Sequence, residues 1–150
     1  MSLSVDARPE VRSAPGAAVG AGRVLTALVV LFLLFDGIAK VLRVAPVLEA
    51  SARMEVPERV IPGLGAVLIA ATLLHAVPAT SILGAIVLTG YLGGATWTHV
   101  RMGGPIFPMI FPALVGALLW GGLYLREPRL RALIPVRRAG RGLDRPEETR

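Results

Sequence analysis

The chain has 150 residues, 54% hydrophobic and only 17% charged, whereas soluble domains carry about 25% charged residues; its mean hydropathy of +0.66 points to lipid. Cysteine is absent, which excludes disulfides, thiolate zinc sites, iron–sulfur ligation and thiol redox chemistry by this chain. The net charge is +6, and residues 126–150, with eight arginines against four acids, supply most of it. No basic stripe interleaved with aromatics lies outside that tail, so no nucleic-acid partner is expected, while the tail is suited to anionic lipid.

Residues 1–21 are polar, aperiodic and rich in Pro, Gly and Ala, and are predicted to form a disordered tail. A membrane domain follows over 22–133, because a span needs roughly 20 mostly apolar residues and four segments qualify. The first, "GRVLTALVVLFLLFDGIAKVL", covers 22–42. Its "GIA" resembles a signal-peptide cleavage site, but the long preceding region and Asp36 within the apolar run favour a retained span. The second covers 61–77, opening at Pro62 and cut off by Pro78; the third covers 81–100. The fourth covers 105–125, where Pro108 and Pro112 are expected to kink the helix or delay its start. A basic disordered tail over 134–150 completes the chain.

Four spans put both termini on one face. That side carries Arg8, Arg12, Arg23, Arg126, Arg129, Arg131, Arg137, Arg138, Arg141 and Arg145; the other carries Lys40, Arg43, Arg53, Arg59 and Arg101. The bias predicts cytoplasmic termini in a multi-pass protein of the cytoplasmic membrane. Between the first two spans, "PVLEASARMEVPERV" reads as a short interfacial helix with Val47, Leu48 and Met54 inward, a lid over whatever lies beneath, or as a plain connecting loop.

Asp36 and Lys40 stand at i, i+4 with the acid first, the favourable order for a pair on one helix face. The third span runs in the same direction as the first and ends in "WTHVR", bringing His99 and Arg101 to the same level. Asp36, Lys40, His99 and Arg101 are therefore candidates for one polar cluster. They form either a ligand- or proton-handling site or a set of interfacial anchors marking helix ends. His75 falls at the opposite end of the second span, roughly 25 to 30 Å from His99 by helix rise, so the two histidines share no metal. Trp97, Trp120 and Tyr124 read as aromatic belts.

Gly90 and Gly94 make a G-x-x-x-G step in the third span, a surface for close helix packing within the bundle or with a partner. A second small surface, Gly65, Ala66, Ala70 and Ala71, predicts a tight hairpin of the second and third spans through residues 78–80.

Three stretches resemble the DoxX family, specifically its DoxX-like branch of small bacterial four-helix membrane proteins: "FDGIAKVL", "LGAIVLTGYLGGATWTHVRMGGPIF" and "WGGLYLREPRLRALIP". The similarity extends from Leu25 to about Leu133. It implies an all-α, four-transmembrane-helix bundle and, from better-known relatives, association with redox systems: a membrane subunit of thiosulfate:quinone oxidoreductase, or a partner of thiol and superoxide defence enzymes. Gly37, Lys40, Gly90, Gly94, His99 and Arg101 match the family pattern, with Gly37, Gly90 and Gly94 as helix-packing positions. The chain departs from it at Leu68, where many relatives carry a glutamate.

Two functions are carried forward. The first is a non-catalytic accessory or scaffold subunit that docks a redox partner protein and contacts quinone, with no cofactor motif and no catalytic or metal-ligating set of its own. The second is a small-molecule permease or ligand-binding protein that uses Asp36 with Lys40 and His99. Four spans make a narrow bundle, so the second function calls for a homo-oligomer.

Overall fold

In a computed structural model, which describes residues 15–127 and residue 130, five α-helices and one 3₁₀ turn account for the ordered elements. They are α1 (Pro15–Val41), α2 (Ala45–Arg53), the 3₁₀ turn Glu58–Val60, α3 (Ile61–Ala76), α4 (Ser81–Met102) and α5 (Ile106–Arg126). Most of the tail predicted over 1–21 and all of that over 134–150 lie outside the described residues. Helix α1 begins seven residues before the predicted start of the first span, at a proline in its first turn, where the missing N–H costs no intrahelical bond. The small residues that follow let α1 run beside the end of α5: a Cβ on Gly22 would stand 2.8 Å from the Leu125 Cβ.

Four long helices pack as a square. α1 touches α3 and α5, α4 touches the same two, and α1 and α4 face each other across the diagonal. The core between them is aliphatic: Val29, Leu33, Leu68, Ala85, Leu88, Leu92, Val115, Leu119 and Leu123. Large apolar side chains also cover the outside, from Leu28, Leu31 and Phe35 on α1 to Ile110, Leu114 and Leu118 on α5. An apolar surface of that extent has no place in water and fits a hydrocarbon surround.

Lipid withholds most of the hydrophobic drive for helix association, so close backbone approach through small residues carries more of the packing. Gly65 lies against α1, where a Cβ would fall 2.7 Å from the Gly37 carbonyl oxygen and 2.8 Å from Lys40 Cβ. Of the predicted small surface, Gly65 thus packs on α1, while Ala66 and Ala70 are exposed. The α3–α4 hairpin closes at another glycine: a Cβ on Gly84 would sit 2.2 Å from the His75 amide nitrogen. Its turn is held by Thr80 Oγ1 donating to the Leu74 carbonyl at 2.7 Å and Ser81 Oγ donating to the Pro78 carbonyl at 3.1 Å.

Among the described residues three helical segments have the length and hydropathy to cross a membrane, Gly16–Val41, Glu58–Ala76 and Ile106–Arg126. Four were predicted. α4 has the length, with 22 residues, but its glycines, threonines, His99 and Arg101 lower its hydropathy. α5 starts at Ile106 and continues through Pro112, so Pro108 neither delays its start nor ends it. The Pro112 nitrogen has no proton to give to the Pro108 carbonyl one turn back.

Candidate functional site

At one end of the bundle the diagonal between α1 and α4 is open, leaving a cavity of about 670 Å³, within the range of small-molecule sites. Its shape follows from residue size. α4 contributes Gly90, Gly94 and Ala95 to the wall, and a Cβ built on Gly90 or Gly94 meets nothing within 4 Å. Among the described residues these two glycines therefore pack against no helix, unlike Gly37, whose Cβ would stand 2.7 Å from Ile69 Cγ1. Of the two packings predicted for this step, within the bundle or with a partner, the first is not made: the glycines form the thin wall of a chamber.

Polar groups gather at the mouth. Lys40 Nζ donates to Asp36 Oδ1 at 2.5 Å, with side-chain exposures of 20% and 33%. Across the cavity stand Thr98 and His99 of α4, with Tyr91 two turns deeper. The floor is apolar: Phe32 and Leu33 of α1, Leu92 of α4, and Phe111 and Val115 of α5. Phe32 and Phe111 meet edge to face, with centroids 5.6 Å apart at 78°, a favoured aromatic geometry.

α2 is the roof. Pro46, Val47, Ala50, Ser51 and Met54 face the cavity, and Leu48 is half-buried beside them. The short helix predicted here thus lies over the polar residues. Its two flanking hinges, Arg43 (φ 53°) and Glu55 (φ 56°), take left-handed backbone conformations, which cost non-glycine residues energy and need outside support. Ion pairs provide that support. Arg43 pairs with Glu58, and Arg101 reaches Glu55 at 3.6 Å and the Met54 carbonyl at 3.4 Å. Arg101 therefore does not line the cavity with Asp36, Lys40 and His99, because its place at the end of α4 points it to the roof's hinge.

His75 sits at the far end of the bundle, fully buried, with Nδ1 donating to the Ser81 carbonyl at 3.0 Å. A carbonyl can only accept, so Nδ1 carries a proton. Arg126 donates to the His75 carbonyl at 3.2 Å, closing α5 onto α3. Among the described residues no group of three or more His, Asp or Glu side chains stands together as a metal site. Leu68 is fully buried in the core.

A second hollow of about 400 Å³ runs along the outside between α4 and α5, over Gly93, Ala113, Gly116 and Ala117. Trp120 bounds it, its indole N–H donating to Thr89 Oγ1 at 2.9 Å.

Tyr91, Thr98, Phe32 and Phe111 were not singled out in the sequence. Tyr91 carries a partial signal: it precedes His99 by eight residues, about 80° around the helix, which keeps both within one broad face. The aromatics of the floor come from two helices distant in sequence and leave no local mark.

No curated protein and no solved structure matches the chain. Residues 24–122 match the DoxX-like family, a stretch that takes in the Asp36–Lys40 pair, the roof, the glycine wall and His99, and ends at Gly122 within the third resembling segment. The chain belongs to the DoxX-like family, a helical membrane protein whose family segment encloses this cavity.

Proposed function

We propose that this chain is a four-span protein of the cytoplasmic membrane that binds a small molecule in the cavity between α1 and α4. The observation that carries the reading is the placement of an intramembrane carboxylate–ammonium pair in the wall of that cavity under a pinned roof. Ionisable groups at membrane depth are expensive and are placed where they serve a function. Here the pair opens on space, with an aromatic floor beneath and a hydroxyl and an imidazole opposite.

α4 is the fourth span in this reading, although its hydropathy is modest. It packs between α3 and α5, and its threonines satisfy themselves within the helix: Thr89, Thr96 and Thr98 donate to the carbonyls of Ala85, Leu92 and Gly94 at 2.7, 2.9 and 2.9 Å. Such back-bonded hydroxyls present little unmet polarity to lipid. The arginine bias places both termini in the cytoplasm and α2 at the opposite surface. Reporter fusions at the two termini, each compared with a reporter in the α2 segment, test this topology.

An accessory role beside a redox partner protein has a separate support, the groove over Gly93 and Gly116 on the outside of α4 and α5, which is open to a neighbouring helix.

Native mass spectrometry of the full chain from its own membranes tests the binding reading. A small-molecule mass retained by the wild type and lost from Gly94→Phe, which fills the cavity from a position with open space, supports it. Identical spectra for the two proteins overturn it.

A further inference from the structure

The charges around this cavity cancel in pairs. Its wall holds one acid and one base, Asp36 and Lys40, bonded to each other. The ionic groups at the hinges of its roof are paired as well, Arg43 with Glu58 and Arg101 with Glu55. An anionic or cationic ligand would bring an unmatched charge into a partly desolvated place where these pairs are already balanced, a costly transfer. An uncharged ligand keeps all of them.

Polarity is also uneven along the cavity. Asp36, Lys40, Thr98 and His99 stand at the mouth, and the deep wall is carbon apart from Tyr91. Lys40 engages Oδ1 of Asp36, and an ionised carboxylate is an acceptor at both oxygens, so the second oxygen calls for a donor from the ligand. A hydroxyl is an uncharged group that donates there and can accept from a neighbour in return.

On the reading that the cavity is a binding site, we infer that its ligand is an uncharged amphiphile with a compact apolar body and a single hydroxyl head set against Asp36. The hydroxyl hydrogen-bonds to the carboxylate at the mouth, and the body lies between Phe32, Leu92 and Phe111.

The test uses three probes of one shape and different charge: 1-adamantanol, adamantane-1-carboxylate and 1-adamantylammonium. Each is equilibrated with the full chain in lipid nanodiscs, with protein-free nanodiscs subtracted to remove partitioning. The expected result is saturable binding of the alcohol at least tenfold tighter than either ion, a difference of about 1.4 kcal/mol. Binding of the alcohol should be lost in Gly94→Phe and weakened at least tenfold in Asp36→Leu. Either ion binding as tightly as the alcohol, or alcohol binding unaffected by Asp36→Leu, overturns the ligand class. No saturable alcohol binding overturns it too. The cavity reading itself stands or falls separately, on the native occupant lost from Gly94→Phe.

Discussion

A Cβ on Gly65 would stand 2.7 Å from the carbonyl oxygen of Gly37, so α3 touches the backbone of α1 one residue beyond Asp36. Gly65→Ala is expected to force the helices apart and destabilise the fold by about 1–3 kcal/mol. Gly84→Ala should be at least as damaging, with its Cβ 2.2 Å from the His75 nitrogen. Gly94→Ala should be neutral or stabilising by about 0.5–1 kcal/mol, since helix propensity improves where nothing is displaced. Unfolding in mixed micelles at rising denaturing-detergent fraction ranks the three; equal losses at all three would contradict the packing described.

The Asp36–Lys40 pair is partly buried and shares one helix face. A double-mutant cycle with Asp36→Asn and Lys40→Met should give a coupling of about 1 kcal/mol, between the values for exposed and buried pairs. A coupling near zero would mean that solvent screens the two groups from each other.

Arg101 holds the hinge of α2 from the end of α4. Because the chain contains no cysteine, a single Ala95→Cys places a thiol in the cavity wall with no background. Arg101→Gln and Glu55→Gln should each speed its modification by a polar thiol reagent several-fold, and added salt should do the same to the parent protein by screening the pair. Rates unchanged by all three would show that the roof does not control access.

Trp120 donates to Thr89 across α4 and α5. Trp120→Phe should cost about 0.6 kcal/mol through this bond, the usual worth of an interhelical hydrogen bond in a membrane, besides any loss of packing. Thr89→Val, measured by the same detergent titration, should cost a similar amount and not add to it.

How much of this was legible in the sequence depends on the distance over which each feature is encoded. The Asp36–Lys40 pair is written within one helical turn, and alternation of span direction was enough to bring His99 to its level. Arg101, two residues further on, reads alike in sequence, but it lies at the helix end and meets the α2 hinge instead. The G-x-x-x-G step of Gly90 and Gly94 states that a helix surface is smooth without stating what faces it. Here the diagonal partner α1 stands off, and smoothness becomes volume. The contacts of Gly22 with α5 and of Gly65 with α1 join residues far apart in the chain, and no local pattern announces them. The modest hydropathy of α4 comes in part from threonine hydroxyls that the helix itself satisfies, which a composition average cannot register.

Both members of the charge pair belong to α1, and this bears on how the protein is made. α1 is synthesised first, and it has the length and hydropathy to enter the bilayer alone. Its carboxylate and ammonium are joined as soon as that helix winds, before α3, α4 or α5 exists to shelter them. An acid and a base divided between two spans would each meet the translocon alone, at the full insertion penalty of a lone charge. Carried on a single turn, they enter as a nearly neutral unit, and the bundle later closes around a charge pair already made on its first helix.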